Sequence, residues 1–230
     1  MCLQVPQVPL EEFVCPVSHN CPQNCTCIKR PSDLSFSVSC QPGTQRLLPN
    51  ALPDDPPPRI GWFHLYFRRS NIQTLEFRHY LTKTRLIDVS KSKLHSIPDK
   101  VWRMLSKMDH VDLSENQLTV LPTFLGSENI TFRWLDLHQN PLRCNCQDKW
   151  IRGWLESLGK ALVAQIFCRT PGWMKGRNVL DVTDKDFCTN PGTERIQLIL
   201  EVCERVPARF GNFPVHPYDY FFHILLFLRH

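Results

Sequence analysis

The residues of this 230-residue chain with the most constrained chemistry are its eleven cysteines. Eight of them fall into two groups of four, and each group contains a CxC pair. The members are Cys21, Cys25, Cys27 and Cys40 in the first group and Cys144, Cys146, Cys168 and Cys188 in the second. Cysteines at this density either bind metal or form disulfides. Structural zinc sites usually separate paired ligands by two to four residues, so the CxC spacing favours disulfides and an extracellular or lumenal location.

The sequence carries no catalytic motif. It has no HExxH, no GxSxG and no glycine-rich phosphate loop, and its nine histidines are scattered. The net charge of +5 is also scattered, which disfavours a nucleic-acid partner. We therefore predict a binding protein that is not an enzyme and that holds no cofactor or metal ion.

Between residues 60 and 142 one pattern occurs four times. Each copy has two apolar residues two positions apart, then Asn or Ser, then Leu or Ile. The copies are LYFRRSNI from Leu65, IDVSKSKL from Ile87, VDLSENQL from Val111 and LDLHQNPL from Leu135. Their starts are 22, 24 and 24 residues apart, within the roughly 20–29 residues of a leucine-rich repeat. Two apolar residues at this spacing lie on one face of a strand, so the pattern predicts short parallel strands stacked over a common core.

The Asn or Ser that follows each strand has a predicted role in satisfying the backbone. The amide of Asn116 or Asn140 can bond backbone groups of neighbouring turns that no sheet partner reaches. Ser70 and Ser92 occupy this position in the first two repeats. We therefore expect those two repeats to be irregular.

The last repeat needs a cover, because a solenoid buries its core only between neighbouring repeats. Directly after Cys146, the apolar residues of QDKWIRGWLESL recur at helical spacing. They are Trp150, Ile151, Trp154, Leu155 and Leu158. We predict a helix that lays its aromatic face on the final repeat.

The two cysteine groups resemble the amino- and carboxy-terminal cysteine-rich caps that flank extracellular leucine-rich repeats. In that family the first cysteine of each cap pairs with the third, and the second with the fourth. The resemblance thus implies the disulfides Cys21–Cys27, Cys25–Cys40, Cys144–Cys168 and Cys146–Cys188. The fold class is expected to be an α/β leucine-rich-repeat solenoid, with a short curved parallel sheet and disulfide-bonded caps at both ends.

Cys2 and Cys15 lie upstream of the first cap, at a distance that suits the last two cysteines of a preceding carboxy-terminal cap. The resulting order of cap, cap, repeats and cap resembles the ectodomain of Toll-like receptors of the multi-cysteine type. The segments implied are a cap remnant at 1–20, an amino-terminal cap at 21–59, about four repeats at 60–142, a carboxy-terminal cap at 143–203 and a tail at 204–230.

The two ends of the sequence favour a fragment of a longer protein. The start MCLQVPQVPLEEF has neither the basic nor the apolar region of a signal peptide. The apolar run Phe221–Leu228 is far shorter than the roughly 20 residues that cross a bilayer. We expect a piece of a larger receptor on the extracellular side of the plasma membrane, or a secreted protein.

The resemblance implies a protein-recognition module of a Toll-like transmembrane receptor in innate immune or developmental signalling. Its expected partners are a cytokine-like or microbial protein ligand, or a second receptor ectodomain with which it dimerises. Membrane contact is expected only through a segment downstream of this chain. Two alternatives stay open: a secreted decoy, and an adhesion or matrix protein.

The curved sheet is expected to expose the polar positions of its strands on a concave face. The candidate binding residues are Tyr66, Arg68, Arg69, Asp88, Asp112, Asp136 and His138, with Ser90 and Ser114 beside them. We interpret the aspartate column as solvent-facing and structural rather than catalytic or cation-binding. Glycosylation sequons occur at Asn24 and Asn129, and Asn129 is the better candidate because its loop LGSENIT is expected on the outer side.

Overall fold

The computed structural model of the chain describes residues 15–16, 20–30, 34–53, 61–159, 165–190 and 192. The chain divides into two compact units, Met1–Thr189 and Asn190–His230. Almost all of the second unit, with Cys203 and the predicted tail 204–230, lies outside the described residues, as does Cys2. In the described ranges, no helix is long and apolar enough to span a bilayer.

A seven-stranded sheet runs through the first unit in strict sequence order. Its strands are β1 (Cys15–Pro16), β2 (Cys25–Arg30), β3 (Ser35–Cys40), β4 (Trp62–Tyr66), β5 (Thr84–Asp88), β6 (His110–Asp112) and β7 (Leu135–Asp136). Strands β1 to β3 pair antiparallel, and β3 to β7 pair parallel. The parallel part contains one strand from each predicted repeat.

The register of the parallel strands confirms the repeat alignment. Leu65 pairs with Ile87, Ile87 with Val111, and Val111 with Leu135. These four side chains, and the second apolar residue of each repeat, are completely buried. Each strand therefore directs alternate side chains into one core and the intervening side chains to the opposite face.

Short helical segments return the chain from one strand to the next. They are a 3₁₀ helix at His79–Lys83, α1 (Asp99–Leu105) and α2 (Phe124–Ser127). Pro98 precedes α1 with φ −62° and ψ 149°, so the ring ends the extended segment without losing a helical hydrogen bond. Val101, Trp102 and Leu105 form the buried face of α1.

Asn116 and Asn140 satisfy backbone groups, which confirms their predicted role. The Oδ1 of Asn116 accepts a hydrogen bond from the Leu94 N–H at 3.0 Å. Its Nδ2 donates to the carbonyls of Val89 and Leu113, at 2.8 and 3.0 Å. Asn140 repeats the pattern one repeat later with the partners Leu118, Leu113 and Leu137. Because each amide reaches two neighbouring repeats, the two asparagines tie repeats two, three and four together.

Ser70 and Ser92 perform part of this role in the first two repeats. The Ser92 Oγ accepts a hydrogen bond from the Ser70 N–H at 3.0 Å and donates to the Phe67 carbonyl at 3.3 Å. A hydroxyl has one hydrogen to donate, whereas an amide has two. The pairing of β4 with β5 also shifts between Phe63 and His64, which is the irregularity expected of these repeats.

The hairpin of β2 and β3 extends the sheet at its first edge, and β3 pairs in parallel with β4. Aromatic rings continue the core from this cap into the repeats. The ring centroids of Phe36 and Phe63 are 5.7 Å apart, and those of Phe63 and Tyr80 are 6.3 Å apart. The Tyr80 hydroxyl donates to the Pro49 carbonyl at 2.9 Å, so the cap and the first repeat are joined by a polar contact as well.

The carboxy-terminal cap leaves the main sheet and uses mostly helices. Its elements are β8 (Leu142–Arg143), α3 (Trp150–Leu158), β9 (Cys168–Thr170) and α4 (Asp184–Cys188), with 3₁₀ helices at Cys146–Asp148, Gly172–Met174 and Val179–Asp181. β8 and β9 pair in parallel as a separate two-stranded sheet.

Helix α3 covers the last repeat, as predicted. Trp154 is 3% exposed, and its Nε1–H donates to the Ile130 carbonyl at 2.8 Å. The Trp154 ring centroid lies 6.3 Å from that of Phe132, which in turn lies 6.4 Å from that of Trp102 on α1. The helix thereby closes the core with aromatic side chains.

Each cap contains two disulfides. They are Cys21–Cys27, Cys25–Cys40, Cys144–Cys168 and Cys146–Cys188. These are the pairs that the family resemblance implies. The stacked parallel strands between disulfide-bonded caps are a leucine-rich-repeat solenoid, and the predicted fold class is confirmed. The segment boundaries 21–59, 60–142 and 143–203 remain predictions.

Candidate binding face

The open face of the sheet is the face opposite the core, and it is the predicted concave face. Parallel strands in register place equivalent side chains of successive repeats next to each other, so the open face carries columns of side chains. One column consists of Tyr66, Asp88, Asp112 and Asp136, and the next consists of Arg68, Ser90, Ser114 and His138.

The prediction that the three aspartates face solvent is wrong. Asp88, Asp112 and Asp136 are 5%, 9% and 7% exposed. Each Oδ1 accepts a hydrogen bond from the backbone N–H two residues later and contacts the side chain of the same residue. The two distances are 3.0 and 2.6 Å for Ser90, 3.0 and 2.6 Å for Ser114, and 2.9 and 2.7 Å for His138. Aspartate commonly stabilises turns in this way, so the column fixes the turns that follow the strands.

Ser90 and Ser114, predicted to be exposed beside the aspartates, are buried as well. Their hydroxyls donate to the aspartates and are therefore not available to a partner. In the part of the chain that the structure describes, no group of three His, Cys, Asp or Glu side chains is arranged to hold a metal ion. The members of the two columns that stay accessible are therefore Tyr66, Arg68 and His138.

Four of the predicted binding residues are accessible. Arg68 and Arg69 are exposed, and Tyr66 and His138 are half-buried. The Nε and Nη2 of Arg68 lie 3.1 and 2.9 Å from the Oδ2 of Asp88. Arg68 therefore neutralises the first aspartate of the column while its guanidinium stays open to solvent.

Tyr66, Arg68 and Arg69 surround a depression of about 300 Å³ between the amino-terminal cap and the first repeat. Its other lining residues are Ser39, Cys40 and Pro42, which belong to the cap. We call this feature the cap–repeat depression. It brings together three of the predicted binding residues, all from the first repeat, and adds a cap wall that the sequence pattern did not indicate.

A row of contacting residues at or just before the strand starts was missed in the sequence pattern. The Arg85 guanidinium is 3.7 Å from the centre of the Trp62 ring. Asp109 contacts both Arg85, at 3.6 Å, and Arg133, at 2.6 Å. Two arginines that share one aspartate leave this row with a net positive charge.

His110 and Trp134 stack beside this row, with ring centroids 3.5 Å apart and ring planes 14° apart. Burial lowers the pKa of His110, although nearby carboxylates, chiefly that of Asp112, act in the opposite direction. The imidazole is therefore neutral at pH 7. Apart from Trp62, the missed residues stand one or two positions before a repeat start. This constant spacing from the repeat start could have identified them in the sequence.

The two sequon asparagines have different surroundings. Asn129 is exposed directly after α2, on the return side of the repeat. Asn24 is exposed in the turn before β2, and its carbonyl accepts a hydrogen bond from the Gln41 N–H at 2.9 Å. Gln41 lies between Cys40 and Pro42, so the Asn24 backbone is bonded to the cap segment that lines the cap–repeat depression.

Comparison with known sequences supports the class of protein that the fold defines. Residues 165–187 match the family model of the leucine rich repeat C-terminal domain. The chain thus carries a leucine-rich-repeat carboxy-terminal cap, at the segment that contains β9 and most of α4.

Two curated proteins are similar to part of this chain. Chondroadherin of Mus musculus is 29% identical over 103 residues, which are 45% of this chain and 28% of chondroadherin. SLIT and NTRK-like protein 5 of Mus musculus is 31% identical over 94 residues, which are 40% of this chain and 10% of that protein. The chain thus spans less than a third of the length of either relative.

Among solved structures, a chain in the Toll–Spatzle complex, described as a molecular hub in Drosophila development and innate immunity, superimposes with a TM-score of 0.67. The superposition covers 80% of this chain and 24% of that chain at 20% sequence identity. At this identity the likeness establishes the shared fold.

Proposed function

We propose that this chain is an extracellular protein-recognition module of a Toll-like transmembrane receptor, and that it binds its partner through the open face. The observation that carries the proposal is the grouping of Trp62, Tyr66 and Trp134 with exposed arginines on one sheet face. Tryptophan, tyrosine and arginine are the residue types that most often dominate the binding energy of protein interfaces.

The rigidity of the open face supports the same function. The aspartate turns and the side-chain bonds of Asn116 and Asn140 fix the strands below the face. A face that is already ordered loses little conformational entropy when a partner binds. The four disulfides support an extracellular site, since such bonds persist in oxidising compartments.

The Toll-like part of the proposal is supported by the order of the cysteine groups and by the superposition over 80% of the chain. Within it, the partner is a cytokine-like or microbial protein ligand or a second receptor ectodomain, and the pathway is innate immune or developmental signalling. The proposal includes a location on the extracellular side of the plasma membrane or in the secreted fraction.

An adhesion or matrix protein is the second candidate, with a secreted decoy as a related form. The similarity to chondroadherin and to SLIT and NTRK-like protein 5 favours it, because neither of these relatives is named as a Toll receptor. Both candidates use the open face for protein recognition and differ in the partner.

The test is a binding panel with the full chain secreted behind a signal peptide. Toll-like receptor ectodomains, cytokine-like ligands and extracellular matrix proteins are passed over the immobilised chain, and affinity is read by surface plasmon resonance. The Trp134→Ala variant is expected to weaken binding about thirtyfold, as for a central interface residue. The matched control is Lys107→Ala, an exposed residue after α1.

Two results contradict the proposal. A folded chain that binds no protein of the panel excludes protein recognition by this module. A matrix protein that binds while every receptor and cytokine-like ligand fails would replace the Toll-like proposal with the adhesion candidate.

We further propose that Asn129 carries an N-linked glycan when the chain is secreted. The asparagine and Thr131 are both exposed, and the return side of the repeat is remote from the proposed interface. Glycosidase treatment is expected to lower the mass of the secreted chain, and Asn129→Gln is expected to remove that change. An unchanged mass contradicts the assignment.

A further inference from the structure

The cap–repeat depression has a basic rim and no acidic lining residue. Arg68 and Arg69 supply the charge, and Tyr66 and Pro42 supply apolar surface beside it. A volume of about 300 Å³ accommodates one side chain of a partner rather than a folded element. The depression therefore has the size and polarity to receive a single acidic side chain.

Of the two arginines, Arg69 carries the charge that is not neutralised. Arg68 is paired with Asp88. In the equivalent position of the next repeat, Lys91 is paired with Glu115 at 3.0 Å. Arg69 makes no ion pair with any residue in the described ranges, so its guanidinium can bind an anion without first breaking an existing contact.

The backbone of Arg69 is held between the cap and the second repeat. Its N–H donates to the Ser90 carbonyl at 2.8 Å, and its carbonyl accepts from the Gly43 N–H at 2.9 Å. The residue is in the left-handed region, with φ 56°. Lys91, Glu115 and Gln139 have the same conformation at the same repeat position, with φ 56°, 52° and 53°. The origin of the Arg69 side chain is therefore fixed relative to the depression.

We propose that the cap–repeat depression receives a glutamate or aspartate side chain of the protein partner, with its carboxylate on Arg69 and its methylene groups against Tyr66 and Pro42. This inference rests on the proposed function, because it specifies the partner chemistry of the same face. A guanidinium can bind a carboxylate through two parallel hydrogen bonds, which also fixes the orientation of the acidic residue.

The charge distribution favours an acidic side chain over a sulfated polysaccharide. A polyanion chain needs a continuous basic track. Next to Arg69 along the repeats, Lys91 is paired with Glu115. At the strand starts, Arg85 and Arg133 share Asp109. Acidic side chains therefore interrupt the basic residues, which do not form a continuous track.

The experiment uses the full secreted chain, labelled with ¹⁵N and treated with glycosidase because the Asn24 backbone bonds Gln41, which lies between two lining residues. The probes are two capped hexapeptides in which alanine alternates with glutamate or with glutamine, and a heparin hexasaccharide. The glutamate peptide is expected to shift the amide resonances of Gly43, Arg69 and Ser90 saturably. The glutamine peptide is expected to leave them unchanged.

The variants are taken from the protein's own repeats. Arg69→Gln is expected to weaken binding of the glutamate peptide about tenfold, the effect of losing a charged hydrogen bond. Arg69→Lys is expected to restore most of it. Both residues already occupy this left-handed position, in Gln139 and Lys91, so the variants are expected to fold. Arg169→Gln, which removes an exposed arginine in β9, is the matched charge control.

Three outcomes overturn the inference: equal shifts with both peptides, equal affinity of Arg69→Gln and the unchanged chain, or tighter binding of heparin at the same amides. These outcomes are separable from a failure of the proposed function. Partner binding in the panel that is insensitive to Arg69→Gln sinks the inference alone. Specific binding of the glutamate peptide without any protein partner sinks the proposed function alone.

Discussion

The two ends of the repeat stack are closed in different ways. At the first end, β3 continues the sheet by pairing with β4, so the cap covers the strand edge and the core together. At the last end, β7 is only two residues long, and α3 covers the core from outside the sheet. The end of a solenoid has both an unpaired strand edge and an exposed core, and the two can be covered separately. Because β7 is so short, the last repeat has almost no unpaired strand edge to cover.

Both ends nevertheless use an aromatic side chain with a polar tip. The Tyr80 hydroxyl bonds the Pro49 carbonyl at the first end, and the Trp154 Nε1–H bonds the Ile130 carbonyl at the last. Aromatic residues with such a tip bury a large apolar area and still satisfy a backbone group. The caps thus share a local device while their architectures differ.

The largest expected effect comes from the disulfides, which constrain the two ends unequally. Cys146–Cys188 spans 42 residues, whereas Cys25–Cys40 spans 15. On the chain-entropy account, replacing both cysteines by serine is expected to lower the free energy of unfolding by about 4 kcal/mol for the first bond and about 3 kcal/mol for the second. Urea denaturation without reductant measures both values. A larger loss at the amino-terminal cap would show that loop length does not control the difference.

The helical cover at the last end can be weakened directly. Trp154→Ala is expected to lower the free energy of unfolding by about 3 kcal/mol, because it leaves a cavity and removes the bond to the Ile130 carbonyl. Trp154→Phe, the matched control, keeps most of the ring and is expected to cost about 1 kcal/mol. Equal losses in thermal or urea unfolding would mean that the hydrogen bond, not the packing, closes this end.

Much of the fold was predictable from the sequence, because the spacing of the apolar residues matches the alternation of side chains along a strand and the length of a repeat. The apolar pairs starting at Leu65, Ile87, Val111 and Leu135 determine which strands lie side by side and which face is buried. The helical spacing after Cys146 likewise predicts α3. The parallel pairing of β3 with β4 was not predictable in this way, since neither β2 nor β3, the two strands of the cap hairpin, carries the repeat pattern.

The side chains that tie the repeats also differ between the two halves of the stack. Asn116→Ala is expected to lower the free energy of unfolding by about 2 kcal/mol, because it leaves several buried backbone groups without partners. Ser92→Ala is expected to cost about 1 kcal/mol, since the hydroxyl satisfies fewer groups. Asn116→Ser, which copies the first half, is expected to fall between them. A Ser92→Ala loss as large as that of Asn116→Ala in urea unfolding would refute this ranking.

The smallest effect is a pH dependence at the open face. The pKa of His110 is lowered in the folded protein, so between that value and the unfolded pKa of about 6.5 the unfolded chain binds the proton more readily. Stability is therefore lost as pH falls from about 6.5 through the lowered pKa of the folded state. His110→Phe is expected to reduce the loss between pH 7.5 and 5.5. The exposed-histidine control His95→Gln is expected to leave it unchanged, and an identical loss in both variants contradicts the assignment.

The proposed binding face was less predictable than the fold. Tyr66, Arg68 and Arg69 could be selected because they stand beside the apolar pair of the first repeat. The aspartates occupy equally polar positions, but their carboxylates are hydrogen-bonded to the turns that follow. The sequence does not show which polar side chains are hydrogen-bonded within the protein. The cap wall of the depression depends on a tertiary contact between segments that lie over twenty residues apart.

The hydrogen bonds between repeats also determine how the molecule responds to tension. The N–H groups of Phe67, Val89 and Leu113 each bond the carbonyl of the next repeat's aspartate, at 2.7, 2.9 and 2.9 Å. A force that pulls the two caps apart acts on all of these interfaces, which then break one after another while the disulfides hold each cap together. The end-to-end length of the chain between Cys40 and Cys144 would then increase in steps of roughly 80 Å per repeat, to a total of roughly 350 Å. Stepwise lengthening of this kind would limit the force transmitted between the two caps.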